Sequence, residues 1–354
     1  MTQTQHGQRD ACAAEPSETS VRIPVQPAPR SILVGDDIEN PGNAAALADV
    51  AAMFGWDCGL LSARGTEPPG DVPAGRRAIS REQLLASRIP LLVLENTDGA
   101  DDLYGYQPPP GAPLALIVGN ERKGVSRAMR AGAYQTLRIP VGSRRINTLN
   151  VAAAAAVALY FLSQGGRGRM RTRPDPERCR PSILFAAPAD PIELGSAVRS
   201  AAALGWRQLF LDDRHGVWFG ADRVIRSLGR GAARRGRNDL HVQPIARRCD
   251  RFDEACIVTA DGPGEPLERA DLARGREQLI VLPDPSGALP AEPDVTRLAR
   301  RIRRVRVGLL TAAAPPRFRL LASIVLAESA RQVGSRQRPQ RHPRSAGRAD
   351  AMCP

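Results

Sequence analysis

Short apolar runs alternate with longer stretches of mixed character along most of the chain. Residues 31–34 and 58–61 are apolar and strand-sized. Between them lies NPGNAAALADVAAMFGW, residues 40–56, whose Pro-Gly opening and regularly spaced small apolar positions predict a helix. Strand, helix, strand is a βαβ unit, and it implies a parallel sheet with helices on its faces. Further strands are predicted at 90–94 and 114–118, and a closing alanine-rich helix at 149–163. The pattern then restarts. Strands at 182–186 and 208–211 flank DPIELGSAVRSAAALGW, residues 190–206, and are followed by strands at 255–259 and 278–282 and a helix at 318–332.

The two helical segments align without gaps at an offset of 150, matching Pro41 with Pro191, Ala51 with Ala201, Gly55 with Gly205 and Trp56 with Trp206. The chain therefore reads as two tandem α/β bodies of one design, residues 30–164 and 182–334. Residues 165–181, rich in Gly, Pro and Arg, read as a basic linker. Residues 1–29 and 335–354 read as disordered tails, the second of them basic.

Composition narrows the function classes. The chain has 354 residues, enough for two domains, and a net charge of +13. Lys123 is its single lysine, so the positive charge is almost wholly arginine, which grips phosphate with a planar fork. A polyanion, RNA or DNA, is the expected partner. The candidate phosphate contacts are Arg144, Arg145, Arg234 and Arg235, within the wider run Arg230–Arg237, together with the linker and the C-terminal tail. The six cysteines form no CxxC pair, and the histidines do not stand at zinc-finger spacing. No metal and no disulfide framework are expected, and a cytoplasmic setting fits. The N-terminus lacks the apolar core of a signal peptide. No apolar run reaches the roughly 18 residues of a membrane span.

Three segments of the first body can carry chemistry. Asn40-Pro-Gly-Asn43 forms a tight turn between strand and helix, with Asn43 placed to cap the helix. Gly119-Asn-Glu-Arg-Lys-Gly-Val-Ser126 is a turn at the carboxyl end of a buried strand, where α/β proteins bind ligands. Gly119 suits close approach of a ligand to the backbone. Ile139-Pro-Val141 ends a strand, and Thr148-Leu-Asn150 opens the alanine-rich helix, where Thr148 and Asn150 can also serve simply as caps.

In this order and spacing, NPGN, GNERKGVS and IPV…TLNVAAA resemble the three motifs of the SpoU (TrmH) family of SPOUT RNA methyltransferases. The likeness covers most of residues 31–163. It implies an α/β fold with a deep trefoil knot, in two tandem copies forming a pseudo-dimer within one chain. It implies S-adenosyl-L-methionine as cofactor, held at Val118, Gly119, Asn120, Glu121, Gly124, Ile139, Val141, Thr148, Leu149 and Asn150. It implies methyl transfer to a ribose 2′-hydroxyl of tRNA or rRNA, with Asn43 at the catalytic site.

The sequence departs from the family at one catalytic position. The family's arginine follows the last Asn of the first motif by six residues, and that position here is Asp49. The second body has Arg199 at the matching place, with Glu193 nearby as an ion-pair partner. Its counterpart of the Gly119–Gly124 loop is 282–287, and Leu320 falls where Asn150 stands. Family members build their sites across a dimer interface, so Arg199 is expected to complete the site of the first body. The alternative is a non-catalytic RNA-binding protein on a degenerate methyltransferase scaffold.

Overall fold

The computed structural model describes residues 30–61, 76–77, 79–143, 145–163, 179–245, 251–287, 297–309 and 315–335. The expected tails and most of the expected linker lie outside these residues.

Two seven-stranded sheets account for the strands, and every ladder pairing within them is parallel. The first contains β1 (Ile32–Asp36), β2 (Asp57–Leu61), β3 (Arg76–Arg77), β4 (Leu91–Leu94), β5 (Asp101–Asp102), β6 (Ala115–Gly119) and β7 (Gln135–Arg138). Their spatial order is β3-β2-β1-β6-β4-β7-β5. The second contains β8 (Ser182–Ala186), β9 (Gln208–Asp212), β10 (His241–Pro244), β11 (Phe252–Thr259), β12 (Glu265–Pro266), β13 (Gln278–Pro283) and β14 (Ala299–Arg306). Its order, β10-β9-β8-β13-β11-β14-β12, repeats that of the first strand for strand. The central strands β1, β6, β8 and β13 are apolar and largely buried, as strands covered on both faces must be.

Helix α1 (Pro41–Met53) starts at Asn40, whose side chain accepts from the Gly42 and Asn43 amides. Asn40, not Asn43, is therefore the cap. Helix α5 (Pro191–Ala203) is built alike, with Asp190 accepting from Ile192 and Glu193. Proline at the first helical position suits both, since its missing N–H would be unpaired there anyway. Between them run the short α2 (Arg81–Ala86) and α3 (Arg127–Ala131) and the long α4 (Val151–Ser163). Asn150 caps α4, its Oδ1 accepting from Ala152 and Ala153 at 3.0 and 3.4 Å. The second half adds α6 (Arg223–Ala232) and α7 (Phe318–Ser335).

The two halves share one interior. Helix α4 packs on α1 and on α7, and α7 packs on α5. Leu33 and Leu159 of the first half lie in the same buried cluster as Leu194 and Leu326 of the second. No helix among the described residues is long and apolar enough to cross a membrane.

Candidate active site

The loops that leave β4, β6 and β7 enclose a cavity of 190 Å3 that opens to solvent. It lies at the carboxyl ends of neighbouring parallel strands, the usual ligand position in such sheets. Local chemistry fixes the β6 loop. Asn120 and Gly124 exchange two backbone hydrogen bonds, 3.0 and 2.9 Å, so the chain turns back on itself. The Asn120 carboxamide accepts from the Arg122 and Lys123 amides and donates to the Asp37 carbonyl. Asp36, buried at the end of β1, accepts from the Ser126 amide at 2.7 Å and from Arg81 at 2.9 Å.

A methyl group added at Gly119 would overlap the backbone of Gly124 and Val125. Glycine is required there by the return of the loop itself, not by a ligand. Gly124 has φ +72°, and a side chain there would run into Glu95.

Each cofactor-site residue named from the sequence lines this cavity: Val118, Gly119, Asn120, Glu121, Gly124, Ile139, Val141, Thr148, Leu149 and Asn150. Asn43 does not line it but braces two residues that do. It donates to Glu121 and accepts from Asn150 Nδ2 at 3.0 Å, tying α1, the β6 loop and the start of α4 together. Sequence reasoning missed Leu94, Glu95 and Asn96 at the end of β4. Asn96 donates to the Asn147 carbonyl at 2.9 Å and so holds the loop before α4. Glu95 Oε1 takes the Val125 amide, while its Oε2 is buried without a partner.

Two residues of the second half also line the cavity, Arg199 of α5 and Arg234 just past α6. Arg199 Nε donates to the Thr148 carbonyl at 2.8 Å. Its Nη2 donates to Thr148 Oγ1 at 2.6 Å and to the Leu149 carbonyl at 2.9 Å. Its Nη1 is left over among the described residues. Burial first, and Arg234 second, lower this guanidinium from its ordinary value to about 10. It is still protonated at neutral pH. Glu193 does not pair with it; that carboxylate turns to Arg319 at 3.3 Å and Arg317 at 3.8 Å.

The matching place in the other half is filled differently. Asp49, equivalent to Arg199, pairs with Arg317 at 2.7 Å. Glu193, equivalent to Asn43, accepts from the Arg319 amide at 3.1 Å and pairs with its guanidinium. Arg319, not Leu320, is therefore the α7 residue that meets Glu193 as Asn150 meets Asn43. Strand pairing also shifts the expected loop equivalence by one residue. Gly119 stands beside Asp36 and Pro283 beside Ala186, so Pro283 rather than Leu282 matches Gly119.

Of the expected phosphate contacts, Arg234 is exposed and reaches Thr148 Oγ1 at 3.3 Å. Arg145 is exposed and pairs with Asp239 at 2.6 Å, away from the cavity lining. Arg144 and the Arg235 side chain lie outside the described residues. No group of three or more His, Cys, Asp or Glu side chains suited to a metal occurs among the described residues.

A parallel sheet with a glycine-turned loop and an Asn-capped helix thus surrounds one cleft at the carboxyl ends of its strands. Residues 30–160 match the SpoU rRNA Methylase family, so this part of the chain is similar to it. The chain is 33% identical over 144 residues to an uncharacterized tRNA/rRNA methyltransferase of Archaeoglobus fulgidus, covering 38% of this chain and 64% of that one. It is 28% identical over 148 residues to the Bacillus subtilis 23S rRNA (guanosine(2553)-2'-O)-methyltransferase RlmP, covering 38% and 58%. The match thus spans less than two thirds of either relative. Among solved structures, the SpoU methyltransferase AviRb from Streptomyces viridochromogenes in complex with AdoMet aligns with a TM-score of 0.31 at 23% identity, over 42% of this chain and 62% of that one.

Proposed function

We propose that the protein is an S-adenosyl-L-methionine-dependent RNA methyltransferase, acting on a ribose 2′-hydroxyl of tRNA or rRNA, with one site built by both halves of the chain. The observation that carries this is Arg199. It comes from the second half, yet three of its hydrogen bonds end on Thr148 and Leu149 of the first. In this reading residues 30–164 are the methyltransferase domain, 165–181 a linker, and 182–334 a degenerate repeat that completes the pseudo-dimer. Residues 1–29 and 335–354 are tails. The identical, non-sequential strand order of the two sheets supports the repeat. A cytoplasmic setting is part of the same reading.

The cavity suits the cofactor. Val118, Ile139, Val141 and Leu149 offer apolar walls, the β6 loop offers backbone groups, and the orphaned Glu95 Oε2 calls for a donor from a ligand. At 190 Å3 it is smaller than the roughly 300–1,000 Å3 of drug-sized ligand pockets, so a nucleoside-sized ligand would extend from it. When bound, the cofactor supplies an electrophilic methyl group on a sulfonium. Arg199 cannot serve as the base while protonated. Anchored through Nε and Nη2, it leaves Nη1 for the substrate, where it would stabilise negative charge on the ribose oxygen. The hydroxyl proton passes to solvent. Asn43 and Asn150 hold the loops in register.

Titration calorimetry with S-adenosyl-L-methionine tests the reading. Binding is expected at one site per chain, abolished in Asn150→Leu and retained in Arg199→Ala. Transfer of labelled methyl to bulk tRNA or rRNA is expected to fall about a hundredfold or more in Arg199→Ala, as for loss of one preorganised donor. Absence of binding in the natural chain would favour the non-catalytic RNA binder. Full activity in Arg199→Ala would remove Arg199 from the site.

A further inference from the structure

Helix α6 carries arginines at 223, 226 and 230, and the chain beyond it adds Arg234 and Arg237. Steps of three or four residues keep the helical positions on one face. These five arginines, with Ser227, line an open groove of 950 Å3 that has no carboxylate in its lining. Arg223, Arg234 and Arg237 are exposed. The groove is elongated, since α6 alone spans roughly 14 Å at 1.5 Å per residue. That suits several phosphates of a chain better than one small anion.

Arg234 belongs to this groove and to the cavity of the first half alike. Its Nη1 and Arg199 Nη2 converge on one neutral oxygen, Thr148 Oγ1, at 3.3 and 2.6 Å. No carboxylate pairs with Arg199 or Arg234 among the described residues. Two cations that share a hydroxyl and lack a counter-charge form a place for an anion. The groove is also fixed relative to that place. Arg199 sits on α5, and α6 lies so close to α5 that a methyl group on Gly195 would overlap the Gly229 carbonyl.

We propose that the α6 groove is a track for an RNA phosphodiester backbone, and that its inner end, between Arg199 and Arg234, holds the phosphate beside the acceptor ribose. This rests on the cavity being the methyl-transfer site. It gives the second half a substrate-guiding role in addition to lending Arg199.

The test uses the full chain and two charge-matched variants. Arg223→Gln/Arg237→Gln removes two exposed groove arginines. Arg300→Gln/Arg301→Gln removes two exposed arginines of β14. Binding of a labelled oligouridylate is followed by fluorescence anisotropy from low to moderate salt, and S-adenosyl-L-methionine binding by calorimetry. The groove pair is expected to weaken RNA binding about tenfold at low salt. It should also flatten the slope of log K against log salt by about 1.4, or 0.7 for each of two lost phosphate contacts on a single strand. Cofactor binding should not change. The β14 pair should leave the slope as it is, and Arg223→Lys/Arg237→Lys should restore most of it. An equal loss in both Gln pairs, or an unchanged slope in the groove pair, overturns the track. Failure of the natural chain to bind the cofactor would instead remove the methyltransferase reading, and the slopes would still decide whether the groove binds RNA.

Discussion

Arg199 holds its charge where the protein offers carbonyl and hydroxyl oxygens but no carboxylate. Its folded-state pKa lies below the unfolded one, at about 10. The charged form is therefore disfavoured in the folded chain, and that penalty is fully present at neutral pH. As pH rises above about 10, the folded chain binds fewer protons than the unfolded one, and stability gained there is complete only near the ordinary guanidinium range. Relative to Arg199→Met, the natural chain should thus gain stability as pH rises past about 10. Urea midpoints of both at pH 8 to 11 check this, and a constant difference would contradict it. Gly119→Ala is a second test at this scale. The added methyl group collides with the backbone of Gly124 and Val125, so cofactor affinity should fall at least about tenfold while the far-UV spectrum keeps its shape. The glycines and asparagines of this site were legible because each loop is local in sequence. Glu95 and Asn96 were not, because an acid and an amide after a strand look like any turn. Only the neighbouring position of β4 beside β6 brings them to the cavity.

At the scale of elements, the same two helix junctions are wired in two ways. In the first half Asn43 meets Asn150, a neutral pair; in the second Glu193 meets Arg319, an ion pair. Burial raises the Glu193 carboxyl above its usual range despite Arg319, and burial lowers Arg319. Desolvation thus outweighs the attraction, and the pair adds little stability. Removing one partner is another matter, since it leaves the largely buried Glu193 only the more distant Arg317, at 3.8 Å. Arg319→Asn alone is expected to cost about 3–5 kcal/mol. Glu193→Asn/Arg319→Asn, which copies the first half, should come back to within about 1 kcal/mol of the natural chain. A double-mutant cycle from chemical denaturation measures this, and additive losses would refute it. Helices α1, α4, α5 and α7 and the central strands were legible because they are long or strand-sized apolar runs bounded by turn residues, whereas the short α2 and α3 and the arginine-rich α6 were not expected. Strand β14 was not: ARRIRRVR holds five arginines in eight residues and reads as a solvated run. The fold tolerates it because Arg303 is neutralised by Glu254 at 3.0 Å and Glu265 at 2.9 Å, partners that lie 49 and 38 residues away in sequence.

For the whole molecule, the question is whether a ligand on one half is felt by the other. The interior argues that it is. Helix α4 is buried along nearly its whole length, partly against α7 of the second half, and one apolar cluster runs through both sheets. Neither half can lose its packing without exposing the other, so unfolding should be a single transition. The tryptophans make this testable, because Trp56 lies in the first half and Trp206 and Trp218 in the second. In Trp56→Phe, fluorescence reports the second half alone. The cofactor at about 100 times its dissociation constant contributes about 2.7 kcal/mol to whatever unit it binds. If the halves unfold as one, the unfolding free energy read from Trp206 and Trp218 should rise by that full amount, and the urea midpoint with it, although most of the lining of the cofactor cavity belongs to the first half. A midpoint that stays fixed while the cofactor is bound would mean that the second half unfolds independently. Arg199 would then be lent to the site by a body that can leave it.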